Sequence, residues 1–560
     1  MTKLQIRGQN GILIKHYSLR KDYRQMDKKN GLIVSWKRAN EIIASIYIVA
    51  ILAIFPLVFN NYYYDILRVK YMFYYSSVIA LFVLILMAAL IYMYVDARDY
   101  QWENTRYVIK QFRKKALNIA DWAMIIFMVA VTISTFQSDY FYESFWGNEG
   151  RYTGMFLILL YFVSFFIITR CLKFKRWYLD IFLAAGMIAC IIGIFQFFEI
   201  DPIGFKEGLS WDDYRIFAST IGNINTYTSY VALISGMSVV LFVNENTFYR
   251  KVWYTFCVII SLFALITGIS DNAYLALIAL FGLLPLFLFN SIGGIKKYLF
   301  LLALLFSEFQ LIDVIISRVP EHVLEINGLF NIVVGYDKLL YIVTGLWGTT
   351  ALIHILETKL FKESCLQKKS NLGRWIWLIL IIVGIFCVGY ILYDANIKGN
   401  GDQYGSLKTY LVINDDWGTR RGYIWRIGIE SYRKFPLIHK IFGYGPDTFG
   451  IITVNNYYEE MASRFFEKFD SAHNEYLQYF ITIGFVGLTA YLCLLFTSII
   501  EMFNACSKNS FLIAISFSVI CYAAQAVVNI SVPIVAPIMF TLLMIGVAAA
   551  RQTVDMRDKV

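Results

Sequence analysis

The chain has 560 residues, of which 58% are hydrophobic, 18% aromatic and only 16% charged, with a net charge of +10. Soluble domains average about 25% charged residues, so the composition excludes a soluble enzyme and points to a protein embedded in a bilayer. The positive balance does not signal nucleic acid as a partner, because Lys and Arg concentrate in loops beside apolar runs, where they set membrane orientation.

The first forty residues are polar and basic, with Lys3, Arg7, Lys15, Arg20, Lys21, Arg24, Lys28, Lys29, Lys37 and Arg38. They lack the short apolar core and small-residue site of a cleaved signal. Residues 1–41 are therefore expected as a cytoplasmic segment and the first span as an uncleaved anchor. Apolar runs of spanning length, roughly 17–25 residues, then recur about fourteen times. They lie near 42–59, 72–95, 120–136, 153–169, 177–198, 227–243, 252–269, 272–289, 298–316, 338–356, 375–393, 476–500, 511–529 and 531–548. Eleven fall within 42–393 and three within 474–548, divided by one polar stretch at 394–473 and followed by a tail at 549–560. The expected fold class is an all-α polytopic membrane protein.

Counting spans alternately puts Arg106 to Lys115, Arg170 to Arg176, Arg250-Lys251, Lys296-Lys297 and Lys359 to Arg374 on the N-terminal side. The acidic or mixed loops Gln137 to Glu149, Glu199 to Asp213, Ser317 to Val334 and the long stretch fall opposite. That asymmetry predicts both termini in the cytoplasm and the long loop outside it. Tyr107 to Leu117, with Arg113, Lys114 and Lys115, reads as a segment lying along an anionic leaflet. None of the eight cysteines falls in an expected outer loop, so no disulfide framework is implied. No His/Cys cluster signals a metal, and no cofactor is expected.

The outer loops carry the polar chemistry. Asp139 to Gly154 holds Arg151 between Gly150 and Gly154, where the chain re-enters the bilayer. It reads as an interfacial arginine snorkelling to water, although positive charge is less expected on that side. Trp211 to Asn225 holds Asp212, Asp213 and Arg215, then Gly222-Asn223-Ile224-Asn225. Both asparagines suit helix capping. Arg215 has no such task, and its planar donor fork suits a phosphate. Ser317 to Val334, with Arg318, Glu321, His322 and Glu325, reads as a solvated linker. The span before it carries Glu308 and Asp313, ionisable groups at membrane depth that are functional candidates by default.

The longest loop has the densest chemistry, and structureless loops of such length are usually functional. Within it, Arg421 to Tyr432 reads as a short amphipathic helix, with Ile424, Trp425, Ile427 and Ile429 at helical spacing and Arg426, Glu430 and Arg433 on polar faces. Pro436 and Gly443-Tyr444-Gly445-Pro446 end it in a turn. His473-Asn474 opens the next span, where a histidine serves as a helix cap, a headgroup contact or an acid–base group.

Arg421-x-x-x-Trp425, Phe435-Pro436-Leu437, Phe442-Gly443-Tyr444-Gly445-Pro446-Asp447-Thr448-Phe449, Ala472-His473-Asn474-Glu475-Tyr476-Leu477-Gln478 and Gly484-Phe485-Val486-Gly487-Leu488 follow in that order. Together they resemble the O-antigen ligase and polymerase family of lipid-linked glycan ligases, polymerases and O-oligosaccharyltransferases. Arg215 with Gly222-Asn223-Ile224-Asn225 is similar to that family's other outer-loop motif. The resemblance covers the second half well and the first half only through topology, Arg151 and Arg215. Two positions depart from it: Ile224 stands where proline is common, and Ser270-Asp271-Asn272 where an arginine often stands.

The resemblance implies a GT-C-type membrane glycosyltransferase, independent of metal. It would pass a glycan from a polyprenyl (undecaprenyl) diphosphate carrier to an acceptor hydroxyl at the outer face of the cytoplasmic membrane, in cell-surface polysaccharide or glycoprotein biosynthesis. Its partners would be that donor, a glycan, lipid or protein acceptor, and membrane lipids. On this reading His473 is the general base, with Arg421 and Arg215, and also Arg151 and Arg420, on the diphosphate. Arg420 and Arg426 are the alternatives if the loop helix is rotated, and His439 is structural. Arg215, Arg421 and His473 are expected to converge on a pyrophosphate-sized space. Ligase, polymerase and O-oligosaccharyltransferase are not distinguished. Competing expectations are a lipid-linked glycan flippase drawing on Glu308 and Asp313, and a metal-dependent transferase using Asp212 or Asp213 as base.

Overall fold

A computed structural model describes residues 31–114, 117–326, 328–360, 370–507 and 509–555. The basic stretch 1–30, Lys115, the 361–369 part of the basic loop with Cys365, and the tail beyond 555 lie outside the described residues. Among the described residues, twelve helices, from Gly31–Leu57 to Ala536–Val554, are long and apolar enough to cross a membrane. Two shorter apolar helices, Met155–Cys171 and Asn272–Leu288, occupy the fourth and eighth expected positions. The physical reason is that hydrocarbon offers no hydrogen-bond partners, so each spanning segment must pair its own backbone, which a helix does locally. The protein is an all-α, multi-pass membrane protein. Among the described residues, β-structure is confined to the short antiparallel pair Phe217–Ala218 and Gly222–Asn223.

The first helix starts at Gly31, well before the apolar run, because its polar turns find partners: Glu41 pairs with Lys175 at 2.8 Å, and the Ser45 and Tyr178 hydroxyls meet at 2.8 Å. It ends in a wide turn, Ala50–Ile54, and a tight one at Pro56. Lys70, fully buried in the next helix Ile66–Tyr100, donates its ammonium to the freed carbonyls of Phe55 (2.9 Å) and Pro56 (3.0 Å). A cation on a helix's carbonyl end is electrostatically favoured and satisfies acceptors that the helix cannot.

The helix Ile224–Asn244 is enclosed on every side, whereas Ile66–Tyr100 and Leu372–Asn396 present long apolar rows outward, as lipid-facing helices do. Asn223 caps the enclosed helix, its Oδ1 accepting the Asn225 N–H at 2.9 Å. Asn225 turns inward instead, accepting from Ser270 Oγ at 2.5 Å. Around it Thr228 donates to Asn272 (2.6 Å), Ser229 to Gln525 (2.7 Å), and Asn529 to Ser229 (2.7 Å). This neutral network ties the ends of three helices together where apolar packing alone is weakly specific.

One expected span differs. The 476–500 run is two helices, Glu475–Thr482 and Gly484–Ala505, with Gly484 at φ +71°. The break is imposed from elsewhere in the chain. The Gly443–Gly445 turn lies against it, with Tyr444 N–H donating to Ile481 O (3.3 Å) and Gly445 N–H to Thr482 O (2.9 Å). A Cβ at Gly443 would stand 2.2 Å from Thr482 O, so only glycine permits this approach. Ser134 completes the clamp, donating to the Thr482 carbonyl at 2.7 Å.

Candidate active site

The long loop folds as helices on a small core of its own, with Tyr423, Ile424, Ile427, Phe449 and Met461 buried. Its main helix is Trp417–Lys434, but Gly418, Thr419 and Arg420 have φ of +59°, +58° and +71°, so regular helix begins at Arg421. Arg426 is consumed by an ion-pair network, with Asp415 at 3.0 Å, Glu430 at 3.2 Å and Glu460 at 2.9 Å, which Arg464 extends. Such partly exposed pairs stabilise little individually, but together they fix which face of the helix points inward.

That face positions His473. Trp425 Nε1 donates to Ala472 O (2.9 Å), and Ala472 N–H donates to Gln478 Oε1 (2.9 Å). Asn474 caps the helix Glu475–Thr482, accepting from the N–H groups of Tyr476 and Leu477 at 3.0 Å each. His473 lies between these ties with φ +45°, a left-handed conformation that a non-glycine residue keeps only where its surroundings hold it. Glu475 turns the other way and accepts from the hydroxyls of Tyr491 (2.5 Å) and Tyr522 (3.0 Å). Removing only the indole donor, by Trp425→Phe, should release the Ala472 carbonyl and lower turnover about tenfold, as expected when a reacting group is slightly misplaced. The thermal unfolding midpoint should move far less than in a core truncation; unchanged turnover would show that the tie does not position His473.

The Gly443–Asp447 turn brings in the loop that carries Arg151. Asp447 accepts from the N–H groups of Asn148 (2.7 Å) and Thr153 (3.3 Å), and its own carbonyl takes the Asn148 side-chain amide. Burial pushes the Asp447 carboxyl up to about 6, with these donors opposing the rise. Arg151 lies between the two anchor points and grips Asp470 with two parallel bonds, Nε to Oδ2 at 2.9 Å and Nη2 to Oδ1 at 2.6 Å.

Three groups now act on His473. Burial first, then the Arg421 and Arg151 charges, lower its imidazole to about 4, and Asp470 alone opposes them. The imidazole is therefore neutral at ordinary pH and able to accept a proton. Arg421 is half-buried; its Nη1 donates to Gly418 O (2.8 Å), while its Nε has no partner among the described residues. Burial lowers the guanidinium and nearby Asp271 partly offsets this. Asp470 is held below the usual carboxylate range, against the push of burial, by Arg151.

Residues 339–492 match the family model described as O-antigen ligase. By that match this stretch is similar to an O-antigen ligase domain. No curated protein matches the chain. The domain includes Arg420, Arg421, Trp425 and His473, while Arg151 and Arg215 lie outside it.

Within the O-antigen ligase-like domain, Arg420 points away from its neighbour: it pairs with Glu467 and lies 5.3 Å from the Phe465 ring. His439 Nδ1 contacts Gly443 O at 3.0 Å and its ring stacks on Tyr444 at 4.4 Å, a structural arrangement. Outside the domain, Arg215 sits on the short helix Trp211–Ile216 and pairs with Glu325 at 3.2 Å. Four residues beyond Glu325, Leu329 N–H donates to Asp271 (3.1 Å), the acid that acts on Arg421. The structure thus brings Arg421 and Arg151 to His473, and ties Arg215 and Arg420 to carboxylates of adjoining segments. Asp213 is engaged with Ser210 at 2.7 Å. Glu308 is buried with both carboxylate oxygens lacking a hydrogen-bond partner among the described residues, whereas Asp313 accepts from Gln310 at 3.0 Å. Asp447, Asp470 and Asn148 were not singled out from the sequence. The first two lie within or just before the family-like motifs, which was the available signal.

Proposed function

We propose that the protein transfers a glycan from a polyprenyl (undecaprenyl) diphosphate carrier to an acceptor hydroxyl at the extracytoplasmic face of the cytoplasmic membrane. His473 is the general base and Arg421 the first diphosphate ligand. The observation that supports this reading is the meeting of a neutral imidazole with two guanidinium charges, with His473 and Arg421 inside the stretch that matches the O-antigen ligase model and Arg151 reaching it from outside.

The reaction is a displacement. The acceptor oxygen attacks the anomeric carbon while its proton passes to the His473 imidazole. The anomeric carbon–oxygen bond breaks, and its electron pair leaves with the diphosphate. The imidazolium then returns its proton to water. Negative charge grows on the departing phosphate oxygen, and guanidiniums, charged at any working pH, bind such oxygens bidentately. Arg421 has an unpartnered Nε to offer. Arg151, Arg215 and Arg420 hold carboxylates, and a diphosphate competes for the same guanidinium forks with its own pairs of acceptor oxygens. These fixed cations fill the charge-neutralising role that a divalent metal fills in other phosphate-leaving reactions.

Deleting the gene and analysing envelope glycans and carrier-linked lipids by mass spectrometry tests this. A ligase leaves carrier-linked donor to accumulate, and a polymerase leaves long carrier-linked chains missing. Unchanged pools would refute the proposal. So would vesicles in which the protein moves labelled donor across the bilayer, with Glu308→Gln stopping the flux and His473→Ala sparing it.

A further inference from the structure

The acid that grips Arg151 is three residues from His473, and the displacement described above does not use it. Asp470 is fixed through its backbone as well as its side chain. A Cβ on Gly450 would lie 2.7 Å from Asp470 Cα, and the preceding carbonyl, Phe469 O, accepts from Thr453 Oγ1 at 3.3 Å. Beyond it, Ala472 is held by Trp425 and Gln478. Arg151 in turn is held by the Asp447 anchor on Asn148 and Thr153. Asp470, Arg151 and His473 are therefore set relative to one another by independent ties from four parts of the chain.

The charges acting on the imidazole are Arg421 from the helix Trp417–Lys434, Arg151 from the 147–154 turn, and Asp470 from its own segment. Other acids nearby are engaged elsewhere. Glu475 binds Tyr491 and Tyr522, Asp447 binds Asn148 and Thr153, and Asp271 accepts from Leu329 and acts on Arg421. When His473 takes a proton it becomes the third cation of the cluster, and one carboxylate opposes the other two.

The geometry points to Asp470 as the positioning residue of His473: clamped by Arg151, its carboxylate supplies the counter-charge for the imidazolium that forms as the acceptor proton is taken up. This rests on the reading of His473 as the base. Phosphate oxygens arriving at Arg151 compete with Asp470 for the guanidinium, which leaves more of the carboxylate's charge to the imidazole at the moment it is needed.

The test needs no knowledge of the sugar. Full-length protein labelled at histidine Cε1 and reconstituted in nanodiscs contains only five histidines, so the His473 resonance is assigned by its loss in His473→Ala. Its titration midpoint should fall by about one pH unit in Asp470→Asn and return in Asp470→Glu, as expected for removal of an adjacent opposite charge. Asp470 acting merely as a brace for the loop would lower thermal stability and leave the midpoint unmoved, which overturns the inference. Should Asp470→Asn not fold, Arg151→Gln/Asp470→Asn is compared with Arg151→Gln, and the double variant must titrate lower. Loss of transfer in His473→Ala reports on the proposed function separately from these titrations.

Discussion

His473→Ala is expected to cut glycan transfer by about 10²–10⁴-fold, the usual contribution of a general base, while the protein inserts and folds as before. The reason to expect clean separation is that the ties around His473 use its neighbours. Ala472 supplies both backbone groups and Asn474 the cap, so removing the imidazole leaves the segment in place. The pH profile carries the sharper information. Burial and the neighbouring arginine charges lower the imidazole to about 4, and a general base must be neutral to act. The acid limb of kcat/KM, which reports the free enzyme, should therefore fall near 4, far below the ordinary 6.5. Donor binding brings negative charge beside the imidazole and raises it, so the limb of kcat should lie at higher pH than that of kcat/KM. A kcat/KM limb at 6.5 or above would show that the arginine charges do not reach the base.

The second large effect is expected at Arg421. Arg421→Lys keeps the charge but loses the fork, and removal of one preorganised donor to a developing oxyanion costs about 10²–10³ in kcat. Arg421→Ala should cost at least as much. Only Arg421→Ala removes the cation facing His473, so the base should titrate higher in Arg421→Ala than in Arg421→Lys. The structure separates Arg421 from Arg420 sharply. Arg420→Ala removes the pair with Glu467 and the contact with the Phe465 ring, and kinetics of the two alanine variants under identical donor concentrations check the distinction. Equal losses at the two positions would contradict the assignment of Arg421 as the first ligand.

The multi-pass helical character was legible in the sequence because lipid imposes a single requirement, a run of apolar residues long enough to cross, and twelve helices of the described residues meet it. The loop helix was legible through the spacing of Ile424, Ile427 and Tyr432. Its phase was not. The left-handed turn through Gly418, Thr419 and Arg420 throws the first arginine outward, and no periodicity announces such a turn. Lys70 fell just before the expected 72–95 run, whereas the helix begins at Ile66 and buries that cation against the carbonyls of Phe55 and Pro56. Arg151 read as a surface arginine because its partner, Asp470, is 319 residues away. The pairing of Arg215 with Glu325 was hidden in the same way. Pattern reveals what a residue requires from its own neighbours in sequence, and these contacts are made by the fold.

The interruption at Ile483 and Gly484 has a mechanical consequence. A continuous rod would carry any change in tilt, forced by a thicker or thinner bilayer, straight to the segment bearing His473. Here the rod's ladder is cut, and the upper piece is fastened sideways to the Gly443 turn and to Ser134. Leaning of Gly484–Ala505 in the lipid would meet the cut and its lateral ties before it reached the segment bearing His473.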